Sequence, residues 1–366
     1  MHSIDIINTD DDDDSMMFDP SVPYNDLPNL PVRKDVETTD VLKLCIMASR
    51  ALGELKGLLE SIPDQIIILE LLPLQESRSS SEVENIVSSR DRLFMASSVS
   101  DVGSDIYTRE ILRYNRTLMS HSNAIMDEDT IRGICSEICG ADVDYRNNPD
   151  DIVCLRNMHS VVYTPPSGEN VHRLMRNLIE FIYSDDGLDP LVKMAIMHYQ
   201  FEAIHPFFDG NGRTGRILNI IYLQYNQLIR EPVLFLSRYI IDNRKRYYQL
   251  IRNVSGFGDW APWIEFMLEG VYRTSLDTIR LIKSIVKEMD STKAICLEHG
   301  VPSEVSEFVF ANPFSTVSMM VDRLSLSRPT ATKYVRIMES IGVLESIKEG
   351  RCSVYRNQGL LSLFRE

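Results

Sequence analysis

Between residues 205 and 216 the chain reads HPFFDGNGRTGR, placing one imidazole, one carboxylate, one amide, two guanidiniums and three glycines within twelve positions. Gly210, Gly212 and Gly215 allow the backbone to turn tightly and approach a ligand, and the GRILNIIYLQY that follows reads as a helix. A glycine-rich turn into a helix N-terminus presents free N–H groups and the positive end of the helix dipole, which suits phosphate. Arg213 and Arg216 lie three apart at that helix start, so both can face one anion with bidentate geometry. Asn211 can donate to a phosphate oxygen. Asp209, a lone carboxylate amid positive charge, is suited to hold Mg2+ bridging phosphates. His205, with an ordinary pKa near neutrality, can act as the general base that takes a proton from a hydroxyl. The chemistry implied is phosphoryl or nucleotidyl transfer. A capped surface turn would need none of these residues in register. A metallohydrolase built on His198, His205 and Asp209 lacks a fourth ligand at usable spacing and has no use for the arginines and glycines. His198 therefore reads as a packed helix residue.

The elements that position such a site are mostly helices. With 366 residues the chain can bury a substantial core and form two domains. Apolar patterns of period 3.6 dominate, and no internal repeat is found. TDVLKLCIMASRALGELKGLLESI predicts an amphipathic helix from about Val41. DQIIILELLPLQES is expected to break at Pro73. SSSEVENIVSSRDRLFMA is expected to open a helix on its serines. Within RNNPDDIVCLRNMHSVVYTPPSG, the segments DIVCL and SVVYT alternate β-branched and polar residues and predict a hairpin. ENVHRLMRNLIEFIYS, PLVKMAIMHYQFEAI and the segments from Arg216 to about residue 290 return to helix. The fold class expected is all-α, a helical bundle with one short hairpin.

From about residue 295 to 366 the pattern becomes helix, turn, helix and two strands around KEGR, the winged-helix order. SRPTATKYVRIMESIG would be its second helix, opened by Ser327 and Pro329 and stopped by Gly342. Ser315 to Glu366 holds 8 Lys and Arg against 5 Asp and Glu, a local +3. Contact with DNA or with protein would both suit such a module, and protein is favoured because the whole chain carries −15. That charge disfavours general affinity for nucleic acid or anionic membrane. Residues 1–39, with the run Asp10 to Asp14, are expected to be a solvated tail. No signal peptide and no 18-residue apolar span is read, so no membrane partner is expected. Six scattered cysteines, including the Cys135-x-x-x-Cys139 pair, lack zinc or redox spacing. Reduced thiols and a cytoplasmic location follow as expectations.

The twelve residues resemble the Fic motif, H-P-F-x-(D/E)-G-N-G-R-x-x-R, at every specified position, and the resemblance extends over roughly residues 40 to 290. It implies transfer of AMP from ATP to a Ser, Thr or Tyr hydroxyl of a target protein. By that resemblance His205 deprotonates the hydroxyl, Asp209 ligates Mg2+, and Gly210, Asn211, Gly212 and Arg213 cradle the inner phosphates. Arg216 holds the γ-phosphate. VVYTPPSG takes the place of the family's flap, which clamps the target by strand addition, and Asn243, Tyr247 and Tyr248 are candidates to line the adenosine site. SSSEVEN resembles the family's inhibitory motif, (S/T)-x-x-x-E-(G/N), with Ser80, Glu84 and Asn85 on a helix around residues 79–95. Glu84 would then pair with Arg216 in the γ-phosphate's place; a plain capping box of Ser81 and Glu84 is the alternative. Relatives often dimerise, and in some the same glutamate supports removal of AMP. Two other readings keep the fold: transfer of a different group, and a DNA-binding regulator whose core senses nucleotide.

Overall fold

The computed structural model describes residues 18–32, 35–62, 65–99, 105–156, 161–349 and 352–364. Asp10 to Asp14 lie outside them. The helical bundle begins with α1 (Thr39–Glu60), whose N-cap Thr38 accepts from the Val41 N–H. Its buried stripe, Val41, Cys45, Ala48, Leu52, Leu55 and Leu59, recurs every three or four residues and packs on α11 (Trp260–Glu298). α2 (Ile66–Val83) packs on α4 (Ile106–Ser120) and α9 (Leu236–Asp242). α3 (Arg90–Ser98) and α5 (Glu128–Cys139) complete the first layer.

At the centre lie α7 (Pro190–Ile204) and α8 (Asn211–Tyr225), buried on almost every side. Helices without a polar face belong in the interior, and these two bracket the motif. α6 (Glu169–Tyr183) and α10 (Arg244–Phe257) flank them. The hairpin is β1 (Leu155–Arg156) against β2 (Val161–Tyr163), antiparallel, with Leu155 opposite Tyr163. It occupies the place the sequence predicts.

Four expectations are corrected. Part of the predicted tail is core: Tyr24, Leu27, Leu30 and Val36 are buried. The Tyr24 N–H donates to the Thr164 carbonyl, and Asn177 exchanges two hydrogen bonds with the Leu30 backbone. Pro73 does not end α2. It sits inside the helix, buried among Leu71, Leu72 and Leu74, so tertiary packing outweighs a local cost of about 3 kcal/mol. The serines of SSSEVEN close α2 rather than opening the next helix, and α3 takes Ser89 as its N-cap. Glu84 is therefore a C-cap residue, and the capping-box alternative falls. Finally, the boundary expected at 290–295 lies inside the 39-residue α11.

The C-terminal module contains α12 (Ser303–Ala311), β3 (Phe314–Ser315), α13 (Val317–Leu324), α14 (Arg328–Ser340), β4 (Leu344–Glu349), β5 (Cys352–Asn357) and α15 (Gln358–Ser362). Its strands form an antiparallel sheet in the order β3-β5-β4. Ser327 caps α14 as expected, and Gly342 follows its end at φ 78°. Among the described residues, no helix is long and apolar enough to cross a membrane.

Candidate active site

α7 ends because His205 adopts a left-handed backbone, φ 49° and ψ 60°, and Pro206 follows it. A residue before proline avoids the helical region, and a left-handed non-glycine costs of order 1 kcal/mol. Arg146 holds this geometry. Its buried guanidinium donates to the carbonyls of His205, Ile204, Pro166 and Asp151 at 2.7–3.2 Å. Burial lowers its pKa to about 10, the nearby charge of Asp151 opposing this only in part. No motif marks Arg146 in the sequence, and its role was missed there.

The turn from His205 to α8 is closed by Asn211. Its Oδ1 accepts from the Phe207 N–H at 2.9 Å and its Nδ2 donates to the Phe207 carbonyl at 2.8 Å. Oδ1 and one of the two Nδ2 hydrogens are engaged, so Asn211 shapes the loop and keeps a second N–H for a phosphate oxygen. Gly210 is the left-handed N-cap of α8, φ 79°, and a Cβ there would lie 3.0 Å from the Cys139 Sγ. Asp209 is exposed; its Oδ1 accepts from the Gly210 N–H at 2.7 Å, and Oδ2 lies 3.7 Å from Arg213. Among the described residues no three His, Cys, Asp or Glu cluster as a metal site. A magnesium ion here would be held by Asp209 and completed by phosphate oxygens, the coordination this hard ion commonly takes.

The two arginines differ. Arg213 is buried, yet among the described residues its Nε and Nη1 have no partner. Orphaned buried donors are rare and costly, and these two beside a helix N-terminus fit an anion. Arg216 is engaged along one edge: Nε donates to Ser80 Oγ at 2.9 Å, and Nη2 donates to the Ser80 carbonyl at 2.9 Å and Glu84 Oε1 at 2.8 Å. Burial works against its charge, but Glu84, Tyr247, Glu202 and Tyr114 together outweigh this and hold the guanidinium above its usual range. Gly212 makes room for the pair, since a Cβ there would sit 2.2 Å from Glu84 Oε1. Asn85 turns the chain out of α2 at φ 61°, and its Oδ1 accepts from Arg244 at 2.9 Å. Ser80 and Glu84 are thus brought to the motif, while Asn85 holds the end of α2 on α10.

His205 lines a cleft of about 930 Å³, with Glu84 and Gly212 beside it and Leu155, Val162 and Tyr163 of the hairpin facing it. Its Nδ1 is buried without a partner, and burial, then Arg146, lowers its pKa to about 4. The imidazole is neutral and able to accept a proton. Glu202, one turn earlier, also lines the cleft, and burial raises its pKa to about 7; no motif marks it.

Of the adenosine candidates only Tyr248 lines the cleft, with Lys245 and Gln249. Tyr247 is core, its hydroxyl 2.9 Å from His198 Nε2, and Asn243 donates to the Tyr239 carbonyl. His198 is buried and stacked on Trp263, a packed residue as read. Gly215 also leaves the ligand set: a Cβ there would meet Glu202 at 2.8 Å and Phe201 at 3.0 Å, so it is a contact between α7 and α8.

Three family models match the chain: Fic/DOC family over residues 107–223, Fic/DOC family N-terminal over 42–120, and Protein adenylyltransferase SoFic-like, C-terminal domain, over 301–360. Similar curated proteins include Protein adenylyltransferase Fic of Nematostella vectensis, 31 % identical over 45 % of this chain and 37 % of that one. Protein adenylyltransferase fic-1 of Caenorhabditis elegans is 30 % identical over 32 % and 24 % of the two chains. The matches thus span well under half the length of these relatives. A crystal structure of a Fic family protein from Desulfovibrio desulfuricans G20 shares the fold, with TM-score 0.57, 20 % identity and coverage of 91 % of this chain and 98 % of that one. Fic-1 of C. elegans aligns at TM-score 0.51 and 18 % identity, over 66 % and 74 %.

Proposed function

This chain belongs to the Fic family, and from that premise we propose that it is a protein adenylyltransferase whose own Glu84 restrains it. The observation that carries the reading is the contrast between the two arginines: Arg213 has buried donors unused, while the Nε and Nη2 of Arg216 are taken by Ser80 and Glu84. A triphosphate laid along the N-terminus of α8 would satisfy the first and compete with Glu84 for the second.

In this reading the neutral His205 imidazole takes the proton of a target Ser, Thr or Tyr hydroxyl. The hydroxyl oxygen forms a bond to the α-phosphorus of ATP, the bond to the bridging oxygen of the β-phosphate breaks, and pyrophosphate leaves. A magnesium ion at Asp209 would offset the charge of the departing phosphates. Arg146 does not touch substrate; it holds His205 on the cleft wall. The hairpin residues Leu155, Val162 and Tyr163 offer the acceptor segment an apolar wall, and Tyr248 gives the nucleobase an aromatic face. With Glu84 on Arg216 the γ-phosphate has no cation, so bound ATP is left misaligned for in-line attack. The unpaired thiols Cys45, Cys135, Cys139, Cys154 and Cys296 support a reducing, cytoplasmic setting.

Labelled ATP and two purified variants test this. Glu84→Gly should raise self- and target-adenylylation at least about tenfold, the effect of some 1.4 kcal/mol. His205→Ala should abolish both. Intact mass should show an added AMP. Equal labelling by wild type and Glu84→Gly would remove the restraint, and labelling that survives His205→Ala would remove the mechanism.

A further inference from the structure

We propose that the outward face of α14 binds double-stranded nucleic acid through its phosphate backbone, a function independent of the nucleotidyl transfer proposed above. α13 and α14 form a helix-turn-helix joined by Ser325 to Ser327. Ala331, Val335 and Met338 bury one face of α14. That turns Arg328, Thr332 and Arg336, spaced every four residues, to the other side with Lys333 beside them, along an open groove of about 1020 Å³. Arg328, Lys333 and Arg336 are exposed, and among the described residues none has a carboxylate within ion-pair distance. The same holds for Arg323 on α13 and Lys348 on β4.

The pairing elsewhere sharpens this contrast. Arg356 on β5 is bound to Glu345 and to Asp91 of α3, and Arg90 donates to the Phe364 carbonyl. α12 packs on α11 and α2. The module thus docks on the bundle through other surfaces, with Arg356 and Glu307 making its ion pairs there, and leaves the cations of α14 unpaired. Unpaired guanidiniums on the second helix of such a motif match the spacing and charge of a duplex groove.

The acidic total of the chain was the reason to expect a protein partner. It does not decide the matter, because exposed charges are screened beyond a Debye length of about 10 Å at 0.1 M salt. What a phosphate at α14 experiences is the local surplus of cations. The face carries phosphate contacts, which position a duplex without reading its sequence.

The test is fluorescence anisotropy of a labelled duplex of about 30 base pairs with the full chain at about 50 and 200 mM salt. Three phosphate contacts give a log–log slope of about −2.7, so affinity should fall roughly 40-fold over that range. Arg328→Glu with Arg336→Glu should weaken binding at least tenfold at low salt and flatten the slope by about two, with an unchanged thermal melt. Absence of binding at low salt, equal binding by the double variant, or a salt-independent affinity each overturns the proposal. So does equal affinity for polyglutamate, which would mark the face as a seat for acidic protein.

Discussion

At the scale of single residues the site is governed by what burial does to charge. His205 is held neutral by its surroundings, with a pKa of about 4 instead of about 6.5. Its base form is therefore complete from pH 6 upward. In the Glu84→Gly enzyme the acid limb of kcat against pH should lie below about 6, and a limb centred at 6.5 or above would show that His205 is not the titrating base. Arg146 gives a second prediction. Lysine cannot reproduce a planar fork spread over four carbonyls, so Arg146→Lys should lower stability by about 3 kcal/mol in urea melts and reduce kcat more than KM. The motif was legible because its residues are neighbours in sequence and their order is the chemistry. Arg146 and Glu202 were not, since Arg146 acquires its role by meeting distant backbone and Glu202 by burial at the cleft wall. Asn211 and Gly215 were read as ligand residues from position alone; in the fold Asn211 also closes the turn on Phe207, and Gly215 lets α7 and α8 approach at Glu202 and Phe201.

At the scale of elements the decisive one is the end of α2. Asn85 stands at φ 61°, where glycine is at ease, asparagine is tolerated and alanine is strained by about 1–2 kcal/mol. Asn85→Ala should therefore loosen Glu84 and raise adenylylation severalfold, while Asn85→Gly should keep the restraint; equal activity of the two variants would contradict this. α2 is also tied to α9 by Glu76, buried, which accepts from the Ser237 hydroxyl and N–H. Burial raises its pKa to about 7. The folded chain then keeps a proton that the unfolded chain releases above about pH 4.3, so this group's contribution to stability is present at low pH and lost as pH rises toward 7. Glu76→Gln, which cannot ionise, should gain on wild type by about 2 kcal/mol between pH 5 and pH 8 in denaturant melts. A constant difference would place the titration elsewhere. Helices with clear caps, such as α14 after Ser327, were legible to the residue. α2 was not, because Pro73 and the serines signal boundaries locally and the packing against α4 and α9 overrules them.

At the scale of the whole molecule, a composition shift near residue 295 was legible as a new module, but the connection was not. The chain shows no linker there because the apolar stripe of α11 continues through it, with Ile279, Ile282, Ile285, Thr292 and Cys296 all buried. Limited proteolysis should accordingly spare residues 280–298 in the native protein; rapid cleavage there would mean the helix is frayed. The early segment from Phe18 was likewise read as tail because its aromatic and proline residues carry no period, and only contact with α6 and the hairpin gives it a structure. α11 has a mechanical consequence. At about 1.5 Å per residue its 39 residues make a rod of about 58 Å, packed by α1, α7, α9 and α10 of the bundle and, toward its C-terminal end, by α12 and α15. Such an axle passes on tilt and twist but has no joint at which to lose them, so a load placed on the C-terminal module is delivered to the catalytic bundle rather than absorbed between the two.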